Sequence, residues 1–121
     1  MIKLKTNNKL VRQTTADYEY TDADGVNHIE QIRVRYYSLP ISELREQRLK
    51  LETIAREDPG RIIWLSDTLP DVLESLPDIL DEKGKPIAIT KENLDLIARN
   101  NLEAINKAII DDLAPKDQPG K

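Results

Sequence analysis

The first third of the chain alternates apolar and polar residues with the two-residue period of β-strands. Two short runs flank Asn7-Asn8, and two longer runs flank Asp24-Gly25. Both dipeptides favour tight hairpin turns, because asparagine and glycine tolerate positive φ angles. The pattern predicts a small antiparallel sheet of hairpins within a β-rich region spanning residues 1–37.

The last strand of this region has two distinct faces. Ile32, Val34 and Tyr36 alternate with Arg33 and Arg35, and successive side chains of a strand point to opposite sides of the sheet. We expect the first three residues to pack inward. The two arginines then face water or an acidic protein partner, which makes them candidate partner-binding residues.

From residue 41 the apolar spacing becomes helical. Ser42 is suited to cap a first helix, and Asp58-Pro59-Gly60 is expected to end it. Leu49 lies off the apolar stripe of this helix, so it is either a singly exposed leucine or a contact for a partner. The stripe itself consists of Ile41, Leu44, Leu51 and Ala55.

Prolines limit the secondary structure that the middle of the chain can form. The apolar run at 61–67 fits either a strand or a helix, since short runs do not distinguish the two. Pro70 suits the first turn of a short helix over Pro70–Ser75, and Pro77 prevents its continuation. Two short strands around Glu82-Lys83-Gly84 are predicted next.

Two helices are predicted in the last third. Thr90 caps the first, over residues 91–98, and Asn100 or Asn101 breaks it. The second covers residues 102–113. Its expected apolar stripe consists of Leu102, Ile105, Ile109 and Leu113.

These helices carry more large aliphatic residues than one stripe hides. Leu96 lies opposite the apolar side of its helix, and Ile110 lies at the edge of the next. Together with Leu49 they are candidates for a partner-binding groove or an oligomer contact. The alternative is that all three are buried in the monomer.

Length and patterning predict one α+β domain. The 121 residues suffice for a single domain, here 1–114, with a β-rich part at 1–37 and an α-rich part at 41–114. Residues 115–121 contain prolines, a glycine and no large apolar side chain, so a disordered tail is expected. No stretch approaches the roughly 20 apolar residues of a membrane span, and a cytoplasmic protein is expected.

The composition offers little reactive chemistry. The chain has no cysteine and a formal net charge of −4, which argues against disulfides, thiolate metal sites and duplex DNA as the main ligand. His28 is the only histidine, and DADG lacks the glycine position and the glutamate of a calcium loop. We expect neither an enzyme nor a cofactor or metal site.

The second half carries a family resemblance. The stretch LPDILDEKGKPIAITKENLDLIARNNLEAINKAIIDDL resembles the C-terminal region of tail assembly chaperones of tailed bacteriophages, siphophages and prophages. DADG, the strand ending in RVRYYSLPISELRE and the apolar residues around Trp64 are similar as well. One departure is that Leu80 occupies the place before the acidic turn where the family often has tryptophan.

The resemblance implies a non-enzymatic role in tail morphogenesis. Such chaperones coat the helical tape measure protein, keep it soluble and help bring tail tube subunits to it, and they are commonly absent from the mature virion. Many also exist in a longer, frameshifted form. Two alternatives remain: a structural tail or head–tail joining subunit, and a small regulatory or nucleic-acid-binding domain.

Overall fold

The computed structural model describes residues 10–39 and 41–113. The fold is α+β, as predicted, with a three-stranded antiparallel sheet, its strands in chain order, followed mainly by helices. The predicted Asn7-Asn8 hairpin and the predicted tail lie outside the described residues. The elements are β1 (Leu10–Thr21), β2 (Asn27–Ser38), α1 (Ile41–Glu57), α2 (Leu65–Thr68), a 3-10 turn (Leu69–Asp71), β3 (Leu73–Ser75), α3 (Lys91–Asp95) and α4 (Arg99–Leu113).

The long hairpin forms around the predicted Asp24-Gly25 turn. Strands β1 and β2 pair along their whole length, from Thr21 opposite Asn27 to Leu10 opposite Ser38. Gly25 has φ 81°, which favours glycine. The Asp22 carboxylate accepts hydrogen bonds from the backbone N–H groups of Asp24 and Val26, both at 2.9 Å, and so fixes the turn.

The predicted helix over Pro70–Ser75 is wrong. The helical turns come earlier, and Leu73–Ser75 forms the short edge strand β3 against Arg35 and Tyr36. Pro70 does lie at the start of a helical turn, but this turn is a 3-10 helix that ends at Asp71. The extended conformation places Leu73 in the core and pairs the backbone of β3 with Arg35 and Tyr36 of β2. Tertiary pairing therefore overrides local helix propensity.

The core lies between one face of the sheet and α4. Ile32, Val34 and Tyr36 point inward as predicted. Leu113 is half exposed, so it does not complete the predicted stripe of α4. The buried apolar residues are Ala16, Ile32, Val34, Tyr36, Leu69, Leu73, Leu76, Leu94, Ile97, Leu102, Ile105 and Ile109.

The C-terminal helices begin and end at other residues than predicted. Thr90 caps α3, with its Oγ1 accepting from the N–H of Asn93 at 3.2 Å. Helix α3 ends at Asp95 rather than at residue 98, and α4 already begins at Arg99. The two predicted strands around Glu82-Lys83-Gly84 do not form. The chain does turn back there, with a bridge between Leu80 and Pro86 and backbone hydrogen bonds from Asp81 to Lys85 and from Ile87 to Ile79.

Helix α1 packs only lightly on the rest of the chain. It begins at Ile41, so Ser42 lies in its first turn rather than at the N-cap. None of its described side chains is buried, and Leu44 and Leu51 of the predicted stripe are exposed. The helix lies across open clefts from the 61–71 segment and from Tyr37 of β2. No helix among the described residues has the length and apolar content to span a membrane.

Asn101 belongs to α4 and ties it to the sheet instead of breaking a helix. Its Oδ1 accepts from the backbone N–H of Glu19 at 2.9 Å, and its Nδ2 donates to the Glu19 carbonyl at 2.8 Å. The side-chain amide thus supplies to the edge of β1 the two hydrogen bonds that another strand would supply. Asn101 itself is 2% exposed, and the two bonds to Glu19 are partly buried.

A second polar contact joins the other end of α4 to both long strands. The buried Tyr36 hydroxyl donates a hydrogen bond to the Asp112 carboxylate, which also lies 3.3 Å from Nε of Arg12. Burial, and then the hydrogen bond to Asp112, raise the pKa of Tyr36 from 10.0 to about 12. The hydroxyl therefore stays neutral in the folded protein well beyond the pH at which it ionises in the unfolded chain.

We predict that Asn101→Ala lowers the free energy of unfolding by about 1–2 kcal/mol, because it removes both hydrogen bonds to the backbone of Glu19 in a partly buried site. Urea denaturation followed by circular dichroism measures the change. Asn100→Ala, at an exposed neighbour, is the matched control and should change stability by less than about 0.5 kcal/mol. Equal effects of the two substitutions would contradict the role of Asn101.

We also predict a contribution of Tyr36 to alkaline unfolding. Its folded pKa lies above its unfolded value, so the stability that it adds is complete below pH 10 and is lost as the pH rises through about 12. In Tyr36→Phe the urea midpoint should fall less steeply across this pH range than in the wild type. Parallel pH profiles of the two proteins would refute the prediction.

Candidate protein-binding groove

An open apolar groove lies between the segment before α2 and the α3–α4 pair. We call it the Trp64 groove. It has a volume of about 480 Å³. Its apolar lining comes from Ile62, Ile63, Trp64 and Leu65 on one side and from Leu94, Ile97 and Leu102 on the other, and its polar lining comes from Ser66, Asp95, Arg99 and Glu103.

The irregular backbone of residues 61–64 produces one side of the groove. These residues form neither a strand nor a helix, and α2 begins only at Leu65. Trp64 is the extended N-cap residue of α2, and its N–H donates to the Asp67 carboxylate at 2.9 Å. Because no sheet or long helix directs alternate side chains inward here, three consecutive large apolar residues reach the surface.

The other side of the groove is formed by residues of the core. Leu94, Ile97 and Leu102 are buried members of the core that also line the groove. Lys91 lies 3.7 Å from Asp67 and 3.0 Å from Asp95, so its ammonium group connects α2 to α3. The groove is therefore bounded on one side by the core and on the other by an exposed apolar segment.

Large apolar surface remains accessible at the rim. Ile62 is 64% exposed and Trp64 is 49% exposed, although the Arg99 guanidinium lies 5.8 Å from the centre of the indole ring. Such a cation–π contact orients a tryptophan without burying it. An accessible tryptophan beside a pocket is a typical anchor of protein–protein contacts.

The charged groups of the groove are paired with polar or charged neighbours. Hydrogen bonds from Ser66 and then Lys91 lower the pKa of the Asp95 carboxyl, so this group is a fixed anion already engaged by neighbours. Glu103 lies 3.7 Å from Arg99. Within the described ranges, no group of three or more His, Asp or Glu residues is placed to hold a metal ion.

The structure separates the predicted partner-binding leucine and isoleucine residues. Leu49, Leu96 and Ile110 are all exposed, so the alternative that they are buried in the monomer is wrong. None of them lines the Trp64 groove. Leu96 comes nearest in sequence, between the lining residues Asp95 and Ile97, and is 84% exposed. Their role in binding a partner stays a prediction.

The two predicted arginines have acidic partners within the chain. Arg33 Nη2 lies 2.8 Å from the Asp78 carboxylate, and Arg35 Nε lies 3.1 Å from the Glu74 carboxylate. Asp78 also accepts the backbone N–H of Arg33 at 2.7 Å. These pairs join β2 to β3 and to the segment that follows it. A further acidic protein would compete with them for both arginines.

Sequence reasoning missed the residues that form the groove. The run Ile62-Ile63-Trp64-Leu65 was recognisable as apolar, but its side chains were assigned to no surface. One signal was available: four consecutive large apolar residues, including the only tryptophan of the chain, begin two residues after Gly60 in the turn that follows α1. An amphipathic element buries about half of such a run and leaves the rest at the surface.

Comparison with known proteins finds no matching family model, no matching curated protein and no matching solved structure.

We predict acid-dependent stability from the Arg33–Asp78 pair. The hydrogen bonds from the Arg33 side chain and backbone lower the pKa of Asp78 from 3.8. Its stabilising contribution is therefore complete above pH 3.8 and is lost as the pH falls through the lower folded value. Asp78→Asn should reduce the urea midpoint at pH 7, and its difference from wild type should shrink towards pH 2.

Asp71→Asn is the matched control for this measurement, because Asp71 is an exposed carboxylate in the neighbouring 3-10 turn. It should leave the urea midpoint close to the wild-type value at both pH extremes. A difference between Asp78→Asn and wild type that is constant with pH would contradict the assignment.

Proposed function

We propose that this protein is a non-enzymatic tail assembly chaperone of a tailed phage or prophage. It binds the tape measure protein in the cytoplasm of the bacterial host, keeps it soluble, helps to recruit tail tube subunits and is left out of the mature virion. The resemblance of residues 76–113 to this family supports the proposal. The observation that carries it is the Trp64 groove, an apolar surface with its only tryptophan half exposed.

The chemistry of the groove suits an apolar helix as ligand. Helix-in-groove recognition uses aliphatic anchors spaced three or four residues apart on one helix face. The lining of isoleucine, leucine and tryptophan side chains would accept such anchors. The polar flanks of the bound helix would face Arg99, Asp95 and Glu103. Because these residues carry charges of both signs, helices of many different sequences could bind.

A groove of this size also fits reversible binding. Burying one aliphatic side chain contributes about 1.5–3 kcal/mol, so one or two anchors give weak affinity for each copy. Many copies bound side by side would still cover a long helical protein, and each copy could dissociate independently of the others. Release during tail assembly then requires no chemical step.

Other exposed apolar residues lie outside the groove. Leu49 lies on the lightly packed helix α1, and Ile110 lies near the end of α4, both outside the lining of the Trp64 groove. In the proposed role these residues would contact tail tube subunits or a second copy while the groove holds the tape measure protein. Leu96, next to the groove, would extend the tape measure contact.

Co-expression with a tape measure fragment tests the proposal. We expect the wild-type protein to keep the fragment soluble and to be recovered with it. Ile62→Asp and Trp64→Ala should weaken recovery by about tenfold or more, since each removes or charges an anchor at the centre of the contact. Leu44→Asp, a similar change at an exposed position on α1, is the control and should retain binding.

Further variants test the remaining candidate residues. Leu96→Asp should reduce recovery of the tape measure fragment, whereas Ile110→Asp should reduce recovery of tube subunits. Undiminished binding by folded Ile62→Asp and Trp64→Ala would refute the groove. Detection of the protein in purified virions would favour a structural subunit instead, and salt-dependent binding to DNA or RNA would favour a nucleic-acid-binding domain.

A further inference from the structure

The two sides of the β1–β2 hairpin differ in how their backbone edges are closed. On the β1 side, Asn101 binds both outward backbone groups of Glu19. On the β2 side, β3 pairs only with Arg35 and Tyr36, and Asp78 accepts the N–H of Arg33. Neither of these contacts reaches the part of β2 between the hairpin turn and Arg33, residues 27–32.

The hairpin register determines which backbone groups face that side. The Asp22 N–H donates to the Val26 carbonyl at 2.9 Å, and hydrogen-bonded pairs recur at every second residue of an antiparallel ladder. The even-numbered residues of β2 therefore bond to β1, and the odd-numbered ones point outward. The N–H groups of Arg33 and Tyr37 agree with this, since they reach Asp78 and Val72.

Asn27, Ile29 and Gln31 belong to the outward set. No described residue hydrogen-bonds to their backbone N–H or C=O groups on this side. Ile29 is 65% exposed, and the stretch Asn27–Gln31 has neither the proline nor the lysine that commonly protects an edge from pairing. The edge therefore presents a continuous set of backbone donors and acceptors that an added strand would satisfy.

We propose that Asn27–Gln31, the open β2 edge, pairs antiparallel with the same edge of a second copy of this chain, about a two-fold axis at Ile29. In this register Ile29 lies opposite Ile29 of the second copy. Asn27 lies opposite Gln31, and His28 opposite Glu30. The three outward residues of each copy would form about six hydrogen bonds between the chains.

The side chains favour a second copy in this register. Ile29 would contact its own equivalent, two side-chain amides would meet, and an imidazole would face a carboxylate. A shift by one residue would place inner-face residues against outer-face residues. A shift by two would place Glu30 opposite Glu30, or His28 opposite His28, and like groups directly opposite each other are unfavourable.

The geometry of the chain also limits the contact. Pairing about this axis keeps the buried faces of the two sheets on one side, so both copies of α4 lie on that side. It ends at Arg33, where Asp78 already occupies the outward N–H. Five residues from each copy bury less than the roughly 1,200 Å² of a stable interface, so the dimer is weak and depends on concentration.

Sedimentation of the full chain at increasing concentration, up to about 1 mM, tests this pairing. The wild type should show a monomer–dimer equilibrium. Ile29→Lys places two lysines opposite each other and should raise the dissociation constant about tenfold or more. Val11→Lys is the matched control, since Val11 is an exposed β-branched residue on the same sheet face but on β1, and it should leave dimerisation unchanged.

A spin label reports the register itself. The chain has no native cysteine, so Ile29→Cys gives a single label that should show strong spin–spin broadening in the dimer, whereas a label at Val11→Cys should not. The proposal is overturned by a monomer throughout the concentration range, by a dimer that Ile29→Lys leaves intact, or by labels at residue 29 that remain apart. Because these measurements involve no tape measure protein, they are independent of the proposed function.

Discussion

The structure depends on covering one face of a three-stranded sheet. Strand β2 places Val34 and Tyr36 at that face, and both are fully buried. Within residues 10–39 and 41–113 no second sheet lies against them, and α4 covers them through Ile105 and Ile109. This burial is the main favourable term available to so small a domain. The chain between β2 and α4 packs around this contact.

Directional contacts determine where α4 lies on the sheet. Apolar packing alone tolerates small shifts of a helix along a strand, whereas hydrogen bonds do not. Asn101 binds one backbone position of β1, and Asp112, three turns later, binds Tyr36. Among the described residues, no buried side-chain nitrogen or oxygen lacks a partner. These two contacts therefore fix both ends of the helix.

The Trp64 groove is a consequence of the same arrangement. Helix α4 uses one side for the sheet, and its first turns with α3 leave a flank that the 61–64 segment approaches without filling. Helix α1 packs too lightly to cover the remaining apolar residues. A chain that needed only to fold would gain stability by burying Trp64 and Ile62. Their exposure is what connects the fold to the proposed binding of another protein.

The sequence by itself determined the α+β class, the Asp24-Gly25 hairpin, the inward face of β2 and the Thr90 cap, because each depends on neighbouring residues and a fixed period. Tertiary structure alone decided that Leu73–Ser75 is a strand, that Asn101 binds Glu19 and that Arg33 pairs with Asp78. The groove belongs to this second group. Each of these features joins residues far apart in the chain, and local patterns carry no information on which distant partner completes them.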